Sequence, residues 1–143
     1  MRRLLIALSL LLMIGSVPSA LAVQRTGTNR ADTLNGTARA DTIYGRGGND
    51  RLFGGPGNDL VAGDAGRDGL AGGPGDDTLL GGGGPDSITG GPGSDVIAGG
   101  AGDDFVNARD GVVDRITCGS GRDRVRADPS DQVAGDCEVV KRG

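Results

Sequence analysis

The chain has 143 residues, a formal charge of −4, 30 glycines and only three aromatic residues. With Tyr44, Phe53 and Phe105 as the whole aromatic set, it cannot build an ordinary core of large side chains. The absence of His removes the commonest general base and transition-metal ligand, which argues against most hydrolases. Eighteen Asp stand against the single Glu138, which indicates that Asp serves as a turn residue and short-armed ligand.

The first 22 residues have the three-part layout of a secretory signal peptide. Arg2 and Arg3 precede an apolar run over residues 4–14, and Ala20-Leu21-Ala22 provides a small-residue cleavage site. The apolar run is shorter than the roughly 20 residues that a membrane-spanning helix needs. We therefore expect cleavage after Ala22, secretion to the exterior and no membrane span in the mature form. The mature chain would carry 13 basic and 19 acidic residues, a balance that disfavours nucleic acid and favours cations.

Residues 23–107 contain an unbroken nine-residue repeat. Asp recurs at every ninth position, and an aliphatic residue follows each Asp by two positions. Glycines complete the unit, as in Gly72-Gly73-Pro74-Gly75-Asp76-Asp77. The nine periodic Asp are Asp32, Asp41, Asp50, Asp59, Asp68, Asp77, Asp86, Asp95 and Asp104. The aliphatic residues are Leu34, Ile43, Leu52, Val61, Leu70, Leu79, Ile88, Ile97 and Val106.

The spacing of these residue types predicts a coil of turns and short strands. Glycine at the first, second and fourth positions permits positive φ and close backbone approach, so six residues can turn the chain and direct carbonyl oxygens inward. The other three positions form a short strand whose middle aliphatic residue points inside. Two units complete one coil. We therefore predict an all-β fold, a right-handed parallel β-roll with two nonapeptides per coil and a narrow aliphatic core.

The repeated unit resembles the RTX, or hemolysin-type, calcium-binding nonapeptide, whose pattern is Gly-Gly-x-Gly-x-Asp-x-aliphatic-x. The resemblance implies that Ca²⁺ lies between a turn and the turn one coil later, held by an Asp carboxylate from each and by backbone carbonyls. Asp32 and Asp41 are weaker candidates, because Arg30 and Arg39 replace the fourth glycine of their turns. The remaining ligands, in about five sites, are Asp50, Asp59, Asp68, Asp77, Asp86, Asp95 and Asp104.

Residues 108–143 are interpreted as degenerate repeats that cap the roll. The register slips by one residue after Asn107, but three later pairs keep the Asp-to-aliphatic offset of two: Asp114 with Ile116, Asp123 with Val125, and Asp131 with Val133. Cys118 and Cys137 lie nineteen residues apart, about one coil, which would place them within disulfide reach. In an oxidising exterior we expect this bond to form and to stabilise the cap by roughly 3 kcal/mol.

These features predict a secreted calcium-binding protein whose roll folds on binding several Ca²⁺ ions, because the crowded carboxylates repel and the core is small. A structural or adhesive extracellular module is the favoured role. One outward face would be apolar and suggests self-association or a cell-surface contact through Tyr44, Leu60, Leu80 and Val96. An ice-binding or other surface-recognition solenoid is the alternative, although the seventh repeat position gives no regular Thr ladder. A hydrolytic enzyme is the least favoured interpretation.

Overall fold

The computed structural model describes residues 21–142, which form a β-solenoid of 14 strands without a helix. The signal peptide predicted over residues 1–22 lies outside this range except for its last two residues. Within residues 21–142, no helix has the length and apolar character needed to cross a membrane. The strands form two parallel seven-stranded sheets. The predicted all-β, parallel roll is therefore confirmed.

Alternate strands belong to opposite sheets. Sheet A contains β1 (Gln24–Thr26), β3 (Thr42–Tyr44), β5 (Leu60–Ala65), β7 (Thr78–Gly83), β9 (Val96–Ala101), β11 (Arg115–Ser120) and β13 (Gln132–Val133). Sheet B contains β2 (Thr33–Asn35), β4 (Arg51–Phe53), β6 (Gly69–Ala71), β8 (Ser87–Thr89), β10 (Phe105–Ala108), β12 (Arg124–Ala127) and β14 (Val139–Arg142). Each coil contributes one strand to each sheet, so two nonapeptides make one coil.

The core is a double stack of aliphatic side chains between the two sheets. In sheet A, Val61 pairs with Leu79, and in sheet B, Leu70 pairs with Ile88, each at the second residue of its strand. The periodic aliphatic residues from Ile43 to Val106 are at most 3% exposed. Burying one such side chain stabilises by about 1.5–3 kcal/mol, which is less than the entropy cost of ordering the nine residues of its repeat. The aliphatic stack therefore needs help from the turns.

The roll continues past the slip in register. The backbone N–H of Asp95 donates a hydrogen bond to Asp114, nineteen residues later, and that of Asp114 donates to Asp131, seventeen residues later. A shorter coil therefore compensates for the longer one. Ile116 and Val125 extend the buried stack. Cys118 and Cys137 form the predicted disulfide, with their Cα atoms 5.2 Å apart. Residues 108–142 are thus further coils of the same solenoid.

Two turns place a non-glycine residue where the backbone is left-handed. Glycine occupies the second turn position with φ of 102° at Gly55 and 116° at Gly73, but Arg46 and Asp64 hold φ of 77° and 70° there. A left-handed conformation costs an ordinary L-residue roughly 1–2 kcal/mol. Arg46 is therefore locally strained, and Asp64 is less so because a short polar side chain tolerates this conformation.

Replacing Arg46 with Gly should relieve this strain. We expect Arg46→Gly to raise the free energy of unfolding by about 0.5–1 kcal/mol, since part of the gain is offset by the entropy of glycine in the unfolded chain. Guanidinium unfolding in saturating calcium measures the effect. Arg46→Ala is the matched control because it removes the same side chain and keeps the strained backbone. Equal midpoints for the two variants would contradict the assignment of strain.

Candidate metal centre

The periodic Asp side chains form two ladders, one along each side of the roll, at the turns that connect the two sheets. In each ladder, the backbone N–H of one Asp donates to Oδ1 of the Asp one coil later, as from Asp59 to Asp77 at 2.7 Å and from Asp68 to Asp86 at 2.8 Å. Ladder A contains Asp41, Asp59, Asp77, Asp95, Asp114 and Asp131. Ladder B contains Asp32, Asp50, Asp68, Asp86, Asp104 and Asp123.

The second carboxylate oxygen distinguishes most ladder residues from ordinary buried Asp. In nine of them Oδ2 is buried and has no hydrogen-bond partner among residues 21–142. Each of these side chains is at most 3% exposed. A buried carboxylate oxygen left unpaired is costly, so each requires either a cation or a proton. The nine are Asp50, Asp59, Asp68, Asp77, Asp86, Asp95, Asp104, Asp114 and Asp123.

Backbone carbonyl oxygens converge on the same places. A Cβ built on Gly63 would lie 2.5 Å from Oδ2 of Asp68 and 2.6 Å from the carbonyl oxygen of Gly81, one coil later. The first glycine of each regular turn therefore leaves open a small space that a side chain would fill. A carboxylate and a carbonyl oxygen around this space are hard donors of the kind that Ca²⁺ prefers. Equivalent spaces lie at Gly45, Gly54, Gly72 and Gly81.

The first two turns satisfy their carboxylates without a metal. Oδ2 of Asp32 accepts hydrogen bonds from the backbone N–H and the hydroxyl of Thr28, at 2.6 and 2.8 Å. Oδ2 of Asp41 likewise accepts a bond from the Thr37 hydroxyl at 2.9 Å. The hydrogen bonds from Thr28 lower the pKa of Asp32. Arg30 and Arg39 set these two turns apart in the sequence, but in the structure Thr at the second position is what satisfies their carboxylates.

Two ladder residues, Asp114 and Asp123, were missed as candidate ligands by sequence analysis. Both are fully buried, and their Oδ2 atoms belong to the unpartnered set. The retained Asp-to-aliphatic offset was the available signal. Asp131, which shares that offset, differs because its Oδ2 accepts the backbone N–H of Asp128 at 2.6 Å.

Burial changes the acidity of the ladder carboxyls. It raises the pKa of Asp86 and Asp95 to about 7 and that of Asp77 and Asp114 to about 6. For Asp77, Asp86 and Asp95, the carboxylates one coil away on the same ladder contribute to these raised pKa values. Without a cation, these groups therefore retain protons close to neutral pH.

The raised pKa values predict how the metal-free roll responds to pH. A carboxyl with a higher pKa in the folded state destabilises the fold when it ionises, so the penalty is absent below pH 3.8 and complete above about pH 7. We expect the chain, freed of calcium by chelation at neutral pH and then dialysed into calcium-free buffer, to show more β-sheet circular dichroism at about pH 4.5 than at about pH 7.5. A metal-free spectrum that is unchanged over this interval, or stronger at the higher pH, would contradict the expectation.

A parallel β-solenoid with two ladders of buried carboxylates at its turns defines a class of repeat protein, in which stacked turns present oxygen donors to a cation. The sequence matches the model of the RTX calcium-binding nonapeptide repeat in four copies, over residues 26–61, 47–79, 54–88 and 80–112. The chain belongs to the RTX calcium-binding nonapeptide repeat family, as its repeat predicted. No curated protein matches the sequence significantly.

Proposed function

We propose that calcium ions bind between successive turns on both ladders and drive the folding of the roll. The ligands are backbone carbonyls and the carboxylates of Asp50, Asp59, Asp68, Asp77, Asp86, Asp95 and Asp104. The observation that carries this proposal is that Oδ2 of each of these seven Asp is buried without a partner in the described part of the chain, beside the open space at the first glycine of its turn. A cation there would satisfy the carboxylates and the carbonyls together.

A calcium site requires two turns, one coil apart, that both keep glycine at the first and fourth positions. This requirement selects about five sites in the regular part of the roll. Asp32 and Asp41 are left out because Thr28 and Thr37 already satisfy their carboxylates. The five Asp pairs are Asp50 with Asp68, Asp59 with Asp77, Asp68 with Asp86, Asp77 with Asp95, and Asp86 with Asp104.

The biological setting of the protein is the cell exterior, where it serves as a structural or adhesive module. Residues 1–22 direct export and are cleaved after Ala22, which is supported by their charged, apolar and small-residue segments. A disulfide between Cys118 and Cys137 suits an oxidising compartment. Calcium-dependent folding would keep the chain unfolded until it reaches extracellular calcium.

Calorimetric titration of the oxidised mature chain with calcium chloride tests the stoichiometry. We expect about five ions per chain from the regular turns, and a lower number for Asp77→Asn, which alters two of the five pairs. Asp76→Asn is the matched control, because the exposed Asp76 accepts a backbone bond from Ser94 and lies outside the ladder. Failure of the unaltered chain to take up calcium, or equal losses in both variants, would overturn the proposal.

The outward face of sheet A provides a surface for self-association. Leu80 and Val96 are 39% and 45% exposed there, and the half-buried Tyr44 and Leu60 extend the apolar patch. Exposed apolar patches commonly mark contact surfaces. In calcium, light scattering should give a mass above that of the monomer, and Leu60→Lys combined with Leu80→Lys should return the monomer mass. A monomer in every sample would contradict this use of the face.

A further inference from the structure

The turn over residues 118–123, outside the part of the chain that matches the repeat family, keeps the geometry of a regular turn. Gly119 and Gly121 have φ of 96° and 141°, close to the 109° and 137° of Gly100 and Gly102 one coil earlier. Gly102 N–H donates to the carbonyl of Ser120 at 2.7 Å. In the regular turns, the N–H of the fourth residue likewise donates to the carbonyl of the third residue of the turn one coil later. Turn 118–123 therefore stacks on turn 99–104 as the regular turns stack on each other.

Oxygen donors converge between these two turns as they do in the regular part. A Cβ built on Gly99 would lie 2.6 Å from Oδ2 of Asp104 and 2.7 Å from the carbonyl oxygen of Cys118. Cys118 thus places its carbonyl where a first-position glycine places its own in the preceding coils. Asp104 and Asp123 each keep a buried Oδ2 without a partner in the described part of the chain.

In the coil that follows, residues 134–138 between β13 and β14 take the place of a regular turn. In a regular turn, the N–H groups of Gly54 and Gly55 donate to carbonyls of the next coil. The N–H groups of Cys118 and Gly119 instead donate to the carboxylate of Asp136, at 3.3 and 2.9 Å.

The Asp123 N–H donates to Oε2 of Glu138 at 2.8 Å. Cys137, between the two acidic residues, is bonded to Cys118. The disulfide therefore ties residues 136–138 to turn 118–123. These residues supply the acceptors for the N–H groups of that turn.

The turn over residues 108–114, one repeat earlier, lacks these features. It contains one extra residue, and its only positive-φ residue is Gly111. A Cβ on Gly111 would meet nothing within 4 Å, so this glycine does not approach a neighbouring coil. Turn 118–123 therefore differs from this neighbouring turn in keeping the regular geometry.

We propose that turns 99–104 and 118–123 enclose a further calcium site, and that the Cys118–Cys137 disulfide holds this site in shape. Its donors are the carboxylates of Asp104 and Asp123 and the carbonyl of Cys118. The proposal rests on the calcium binding proposed above for the regular turns. Because Cys118 gives its carbonyl to the site and its sulfur to the disulfide, calcium binding and disulfide integrity are thermodynamically linked.

Calcium stoichiometry tests the existence of the site. Asp123→Asn should bind one ion fewer than the unaltered chain in calorimetric titration with calcium chloride. Asp131→Asn is the matched control and should bind the full number, because Oδ2 of Asp131 already accepts the Asp128 N–H. An unchanged number in Asp123→Asn would overturn the further site. Failure of every sample to bind calcium would overturn the calcium binding of the regular turns as well, so the two failures are distinguishable.

The disulfide equilibrium tests the linkage. In saturating calcium, the chain is equilibrated with dithiothreitol and the oxidised, cyclic form of this reagent. Each dithiothreitol that becomes the cyclic disulfide gives two electrons and two protons, which convert the Cys118–Cys137 disulfide into two thiols. The equilibrium constant for reduction should be roughly five-fold or more larger in Asp123→Asn than in Asp131→Asn. The occupied regular sites keep both variants folded, and circular dichroism verifies this. Equal constants in two folded variants would overturn the linkage.

Discussion

In EGTA at about pH 7.5, the mature chain is expected to lose most of its β-sheet circular dichroism and to recover it when calcium is restored. The reason is the position of the ladder carboxylates, nine of which bury a second oxygen between successive turns without a hydrogen-bond partner among residues 21–142. Strands one coil apart are separated by about 4.8 Å, so two neighbouring ionised carboxylates repel by roughly 3–4 kcal/mol at an effective dielectric constant near 20. That repulsion recurs along both ladders.

The remaining interactions are too weak to offset this repulsion. Each repeat buries a single large aliphatic side chain, such as Leu79 or Ile88, and its turn is largely glycine, which has a high entropy in the unfolded chain. The disulfide constrains only the C-terminal coils.

Magnesium at the same concentration should restore little structure, because it requires a compact octahedral shell and retains its waters. Identical spectra in calcium and in EGTA would contradict calcium-driven folding.

Adding one methyl group at the first position of a central turn should have the second largest effect. A Cβ on Gly81 would lie 2.6 Å from Oδ2 of Asp86 and 3.2 Å from Cδ1 of Ile88, and it would overlap the carbonyl oxygen of Gly99. We expect Gly81→Ala to lower the free energy of unfolding in calcium by roughly 1–3 kcal/mol through overpacking alone. The loss of a calcium ion from the filled space should add to this destabilisation.

Gly83→Ala is the control for this experiment. Gly83 lies two residues away in the same strand, and the nearest atom to a Cβ there is the carbonyl oxygen of Asp64, at 3.8 Å. Its free energy of unfolding should change by no more than about 0.5 kcal/mol. Guanidinium unfolding and calcium titration of both variants provide the comparison. If Gly81→Ala binds as many ions as Gly83→Ala, the space at the first glycine does not hold the metal.

The regular part of the fold could be predicted because its period is explicit in the sequence. Asp and an aliphatic residue recur with one phase from Asp32 to Val106, and the observed pairing of strands two repeats apart follows from that phase. The seven regular ladder residues could be identified for the same reason. Positions that are fixed by a sequence period can be located without knowledge of the tertiary structure.

Other features of the site depend on contacts that the period does not encode. The slip in register conceals that Asp104 and Asp123 are neighbours on one ladder, nineteen residues apart. Thr28 resembles any turn residue until the geometry places its hydroxyl 2.8 Å from Asp32. Asp136 and Glu138 look like ordinary acidic residues near the chain end, but in space they accept the N–H groups that the next coil would otherwise accept.

Anomalous scattering from crystals grown in calcium would locate the ions themselves. The arrangement of carboxylates and carbonyls predicts two rows of anomalous peaks, one along each ladder, with each peak between the Asp residues of successive turns. Turns 45–50 through 99–104 should carry the regular peaks, and the turns at Asp32 and Asp41 should carry none. A fully formed roll with no peaks between its turns would contradict the binding of calcium by the stacked turns.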